Sequence, residues 1–104
     1  MRLGDAMTVF QDDMRDDEYV RELIKGCLEE EGIDVLLVTL RDIAEARGGI
    51  EWLAKETGLQ RTRLTRSLSS GARPEFATIQ AILKAFHVKL EPAPIYGVRE
   101  KEAA

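Results

Sequence analysis

Apolar residues recur at three- and four-residue spacing through most of this chain, and glycines punctuate the pattern. Tyr19, Val20, Leu23, Ile24, Cys27 and Leu28 form one such stripe over residues 16–31. That spacing predicts an amphipathic helix with an aspartate N-cap and acidic residues near the positive end of its macrodipole. Gly32 stops it, and Asp34 is placed to cap the next helix. Over 35–47 the chain is apolar on most sides early (Val35, Leu36, Leu37, Val38, Leu40) and amphipathic later (Ile43, Ala44), which predicts a helix through the middle of the core. Gly48-Gly49 breaks it. A third helix over 50–57 presents Ile50, Leu53 and Ala54; Gly58 ends it, and a fourth over 60–68 has Leu64 and Leu68 as its inward pair. Beyond the turn-rich "SSGARPE", the residues Phe76, Ile79, Ile82, Leu83 and Phe86 mark a fifth helix.

After His87 the alternation Val88-Lys89-Leu90-Glu91 reads as a short strand closed by Pro92 and Pro94. A lone strand needs a partner: a copy in a second subunit or another protein, with a plain extended tail as the alternative. The pattern thus predicts an all-α fold of five helices with a short C-terminal β-strand. It divides into a flexible lead-in over 1–15, a single helical domain over 16–91 and a tail over 92–104 whose end, "GVREKEAA", is expected to fray.

Composition narrows the function. With 44% apolar and 33% charged residues the chain is too apolar to be wholly disordered. It has no apolar run of bilayer length and no signal-peptide core, which assigns it to the cytosol with no membrane role. Charge changes sign along it: residues 1–34 carry four basic and eleven acidic side chains, whereas 47–73 carry six basic and two acidic. A local positive segment fits either an anionic partner or a solvated helix face.

The segment "LAKETGLQRTRLTRSL" favours the anionic partner. Two short helices joined by a glycine turn make a helix-turn-helix when a small residue permits close helix contact, a glycine four residues on turns the chain, and an aliphatic residue six further on anchors the second helix. Ala54, Gly58 and Leu64 meet these demands. At ~100° per residue, with Leu64 inward, Thr62 and Arg66 point away and Arg63 and Thr65 flank them. Such a second helix enters the major groove N-terminal end first, so Gln60, Arg61, Thr62, Thr65 and Arg66 are the expected base contacts. Lys55, Arg63, Ser69, Ser70 and Arg73 are the expected phosphate contacts. A merely solvated helix would mix in Glu or Asp, yet none occurs from Arg61 to Arg73.

Residues 40–91 also resemble the antidote, or antitoxin, proteins of addiction modules. The likeness lies in "LRDIAEARGG", then "LAKETGLQRTRLTRSLS", a Gly/Pro loop, and "PEFATIQAILKA" before the terminal strand; the acidic "DDEYVRELIKGCLEEEGIDVLL" is similar too. The resemblance implies a lambda-repressor-like (Xre/Cro-type) helix-turn-helix fold, usually dimeric, that binds operator DNA and represses its own operon. It also implies a partner, a small basic co-encoded toxin of the RelE/HigB kind. Carried over by position, the recognition segment is Gln60 to Ser69. Gln60 stands where relatives usually have a capping Ser, which suggests a different operator preference; Glu75 likewise stands where many relatives have a capping Ser.

Other residues are read conservatively. Trp52 is assigned to the core, Cys27 is a small core residue, and His87 has no companion for catalysis or metal binding. The acidic clusters lack calcium-loop spacing; the acidic N-terminal third instead complements a basic toxin. No nucleophile–base pair or phosphate loop appears, so neither enzymatic activity nor a cofactor is expected. Two alternatives share the pattern: a solitary regulator without a toxin, and a protein-interaction module that has lost DNA binding.

Overall fold

A computed structural model describes residues 13–30 and 32–95, and among these the regular structure is entirely helical. Five helices follow in order: α1 (Asp17–Glu30), α2 (Ile33–Arg47), α3 (Gly49–Thr57), α4 (Arg61–Ser67) and α5 (Phe76–Ala85). Neighbours in sequence pack together from α1 to α4, and α5 returns onto α3. Val20, Ile24, Leu36, Leu37, Leu40, Ile43, Leu53, Leu64, Leu68, Ile82, Leu83 and Phe86 share one buried cluster, so every helix contributes to a single core. Most of the lead-in, Glu31 and the tail beyond Ile95 lie outside the described residues, as does the expected fraying of the C-terminal end.

Local chemistry explains the boundaries. Asp16 caps α1: its Oδ1 accepts from the Glu18 amide at 2.9 Å, and its carbonyl accepts from Val20 at 3.0 Å. The cap of α2 is Gly32 rather than Asp34, because the helix already begins at Ile33 and leaves Asp34 in its first turn, where a carboxylate suits the macrodipole. Gly48 separates α2 from α3 with φ 135°, and a Cβ there would lie 2.7 Å from Trp52 Cβ, so both conformation and space require glycine.

Three apolar stripes cover less than their spacing suggests. Leu28 of α1 is exposed, as are Ile33, Val35 and Val38 of α2, so α2 is buried on one side and does not run through the middle of the core. Phe76, at the first position of α5, is 64% exposed; the inward start of that helix is taken by Thr78 and Ile79.

The expected strand over 88–91 is absent among the described residues. The chain there is occupied differently: the His87 amide donates to Lys84 O at 3.0 Å and the Val88 amide to Leu83 O at 2.9 Å, closing α5 with a Schellman pair. With Val88 thus committed and no second strand among the described residues, the segment has no ladder within them.

His87 takes the left-handed position in that closure (φ 63°), at a cost of about 1–2 kcal/mol for a residue with a Cβ. Its Nδ1 lies 2.8 Å from Asp17 Oδ2, while Asp17 Oδ1 accepts from Arg47 Nη2 at 2.9 Å. Arg47 Nε donates to Met14 O, and its guanidinium sits 5.8 Å from the Phe86 ring centre; Phe86 in turn stacks on Trp52 at 6.0 Å. Arg15 Nε donates to Ala46 O at 2.9 Å, so Met14 and Arg15, assigned from sequence to the lead-in, are bonded to α2. Trp52 is half-buried against the core, as its spacing predicted, and Cys27 is buried with its Sγ 3.4 Å from Thr39 Oγ1.

The bond from His87, followed by that from Arg47, holds the Asp17 carboxyl below the usual aspartate range. A carboxylate with a depressed folded value adds stability that is complete above the unfolded value, about 3.9, and is lost as pH falls through the folded one. Asp17→Asn should therefore be less stable than the parent at neutral pH, with the gap closing below about pH 4. Urea denaturation at the two pH values checks this; a gap that persists in acid would contradict it.

Candidate nucleic-acid interface

The interface candidate is built on α4, which at seven residues could not hold itself together or choose its own orientation in water. Its position comes from outside. Gly58 ends α3 in the left-handed conformation (φ 75°, ψ 7°), its amide donating to Ala54 O at 2.9 Å. Thr57 stiffens the turn, since its Oγ1 donates to Leu53 O and accepts from the Leu59 amide. Leu64 and Leu68 then sink into the core cluster that also holds Leu53, with Ala54 half-buried against it. Of the three scaffold residues inferred from the sequence, Ala54 is half-buried against the core, Gly58 makes the turn and Leu64 is wholly buried.

With Leu64 wholly buried, the opposite side of α4 faces solvent. Gln60, Arg61, Thr62, Thr65 and Arg66 are all exposed, as are Lys55, Arg63, Ser69, Ser70 and Arg73. A groove of about 740 Å³ runs between α4 and the α4–α5 loop, and its walls include Gln60, Thr62, Arg63, Arg66, Ser69, Ser70 and Arg73. Arg61, Thr65 and Lys55 lie outside it. Gln60 occupies the N-cap of α4 in extended conformation with no side-chain bond to the helix, and Glu75 does the same for α5, as their side chains suggested.

The cations are not equivalent. Arg61 Nη1 meets Glu51 Oε1 at 2.9 Å, Arg63 Nη2 meets Glu75 Oε2 at 3.5 Å, and Arg73 Nη1 meets Asp34 Oδ1 at 3.3 Å. Arg63 also donates to Thr78 Oγ1 at 3.2 Å, which gives that buried hydroxyl its partner. Among the described residues Arg66 and Lys55 make no ion pair, so Arg66 is the groove cation with its donors unengaged. The three carboxylates were not anticipated: Glu51 and Arg61 are ten residues apart and Asp34 and Arg73 thirty-nine, separations that no helical period connects. The segment 61–73 lacks acid in its own sequence, but the fold brings acid to it.

This surface can present guanidinium, amide and hydroxyl donors to an anionic, ridged partner along one exposed helix. Other cavities among the described residues offer less chemistry: one, also of about 740 Å³, lies between α1 and residues 87–93, and a small cleft of about 50 Å³ lies beside Asp34 and Ser69.

Residues 7–94 match the model of a family described as "Probable addiction module antidote protein". The chain is 31% identical over 75 residues to an uncharacterized protein of Haemophilus influenzae, an alignment covering 72% of this chain and 76% of that one. No solved structure matches the chain.

Because burial of Leu64 seats α4 and Thr62 faces solvent, the two faces should respond differently to truncation. Leu64→Ala is expected to cost about 2–5 kcal/mol, whereas Thr62→Ala should change stability by less than about 0.5 kcal/mol. Chemical denaturation of both variants checks this, and comparable losses would show that the outward face also has a structural duty.

Proposed function

The chain belongs to the family of probable addiction module antidote proteins, and on that premise we propose that it is an antitoxin whose α3–turn–α4 unit is a lambda-repressor-type helix-turn-helix. In this reading the protein binds operator DNA as a dimer, represses its own operon and neutralises a small co-encoded toxin of the RelE/HigB kind in the cytosol. The observation that carries the DNA-binding part is the exposed polar face of α4, anchored by Leu64 and carrying Arg66, which makes no ion pair among the described residues.

The division of labour follows from position. Gln60, Arg61, Thr62, Thr65 and Arg66 lie on the first turns and outer face of α4, the part of such a helix that meets base edges. Arginine can engage guanine through two parallel hydrogen bonds, glutamine can do the same with adenine, and threonine can donate, accept or touch a thymine methyl. Lys55, Arg63, Ser69, Ser70 and Arg73 flank that face and supply phosphate contacts, which fix register and carry the salt dependence. The family's description as antidotes supports a toxin partner, and the excess of acid over residues 1–34 supports a basic one.

Arg66→Ala should cost about 1–3 kcal/mol on the operator and relax preference at one base pair, whereas Arg73→Ala should weaken binding to all duplexes alike and flatten the salt slope. Binding titrations with DNA from upstream of the gene and its single-base variants test this. Equal losses on every sequence for both variants would overturn the assignment.

A further inference from the structure

Three of the cations assigned to the interface come with a carboxylate already in place, each drawn from a different part of the fold: Glu51 from α3, Asp34 from α2 and Glu75 from the cap of α5. All six side chains are substantially exposed, so these pairs add little to stability and are not explained as structural ties. Their location is informative. Glu75 lines the groove beside Arg63 and Arg66, and Asp34 lines the adjoining cleft formed with Ser69, Ser70 and Gly71.

A phosphate approaching Arg63 or Arg73, or approaching Arg61 on a duplex that offers it no base contact, must displace or tolerate an anion that is already there. An arginine that is internally neutralised condenses fewer phosphate charges, and fewer counterions leave the duplex when it binds. Arg66 meets no such competitor among the described residues, so contacts made through it are free of that penalty.

Resting on the DNA-binding reading above, we propose that Glu51, Glu75 and Asp34 act as built-in competitors of DNA phosphate. They hold sequence-independent affinity down, so that a duplex is retained only when it also satisfies Arg66 and its neighbours on α4. The three acids are then determinants of specificity, acting through the arginines they hold rather than by touching bases.

The test uses the full chain with E51Q, E75Q and D34N, singly and together, and with Glu51→Asp as the conservative control. Affinity for an unrelated duplex and for a duplex from upstream of the gene is measured by fluorescence anisotropy between about 50 and 200 mM salt. Each neutralisation should tighten binding to the unrelated duplex at least about twofold, and the salt slope should steepen by up to about one per carboxylate removed. The ratio between the two duplexes should narrow, and Glu51→Asp should behave as the parent. A melting curve for each variant confirms folding, which loss of exposed pairs leaves intact. Unchanged or weaker binding to the unrelated duplex, with the parent still binding its upstream DNA, would overturn the proposal alone. Failure of both the parent and the triple variant to bind either duplex would instead overturn the reading on which it rests.

Discussion

Burial of Leu64 is the constraint from which the candidate surface follows. A helix as short as α4 has almost no intrinsic stability, so the side that sinks into the core decides which residues meet solvent. With Leu64 and Leu68 held in one cluster with Leu53, rotation of α4 would expose two leucines and bury arginines without partners, at a cost of several kcal/mol. Gly58 makes that seating possible by turning the chain through a conformation that a residue with a Cβ resists. The outward array of Gln60, Thr62, Thr65 and Arg66 is therefore a consequence of packing on the opposite side.

The scaffold beneath it is tied by a second device remote from the interface. Arg47 joins the start of α1 to the end of α2, lies over Phe86, and through Phe86 and Trp52 reaches α3 and α5. Asp17 bridges Arg47 to His87, which occupies the strained closing position of α5. One buried guanidinium stem and one aromatic stack thus connect four helices, and α4 projects from the platform they tie together. Gly48 belongs to this device, since only a residue without Cβ lets Trp52 lie against the α2–α3 junction.

What could be read from the sequence was what repeats locally. Helical period and glycine stops located all five helices to within a residue or two, and Gly58 marked the turn between α3 and α4. Period alone does not say how wide a covering the neighbours provide, so it places Leu28, Val35, Val38 and Phe76 inward, whereas all four are exposed among the described residues. The strand over 88–91 failed for a related reason: alternation is necessary for a strand, but a ladder needs a second one, and the Val88 amide was already committed to Leu83. The pairs Glu51–Arg61, Glu75–Arg63 and Asp34–Arg73 join residues that become neighbours only after folding. A region that looked uniformly basic in one dimension is a set of partly neutralised cations in three.

The central claim, that the outer face of α4 and its flanking loop meet DNA, is tested most directly by mapping where a duplex touches the chain. Backbone amide resonances followed while DNA from upstream of the gene is titrated at low salt should shift over residues 60–73 and around Lys55, and remain still along α1. Shifts concentrated on α1 or around residues 87–93, or none at any DNA concentration, would contradict it.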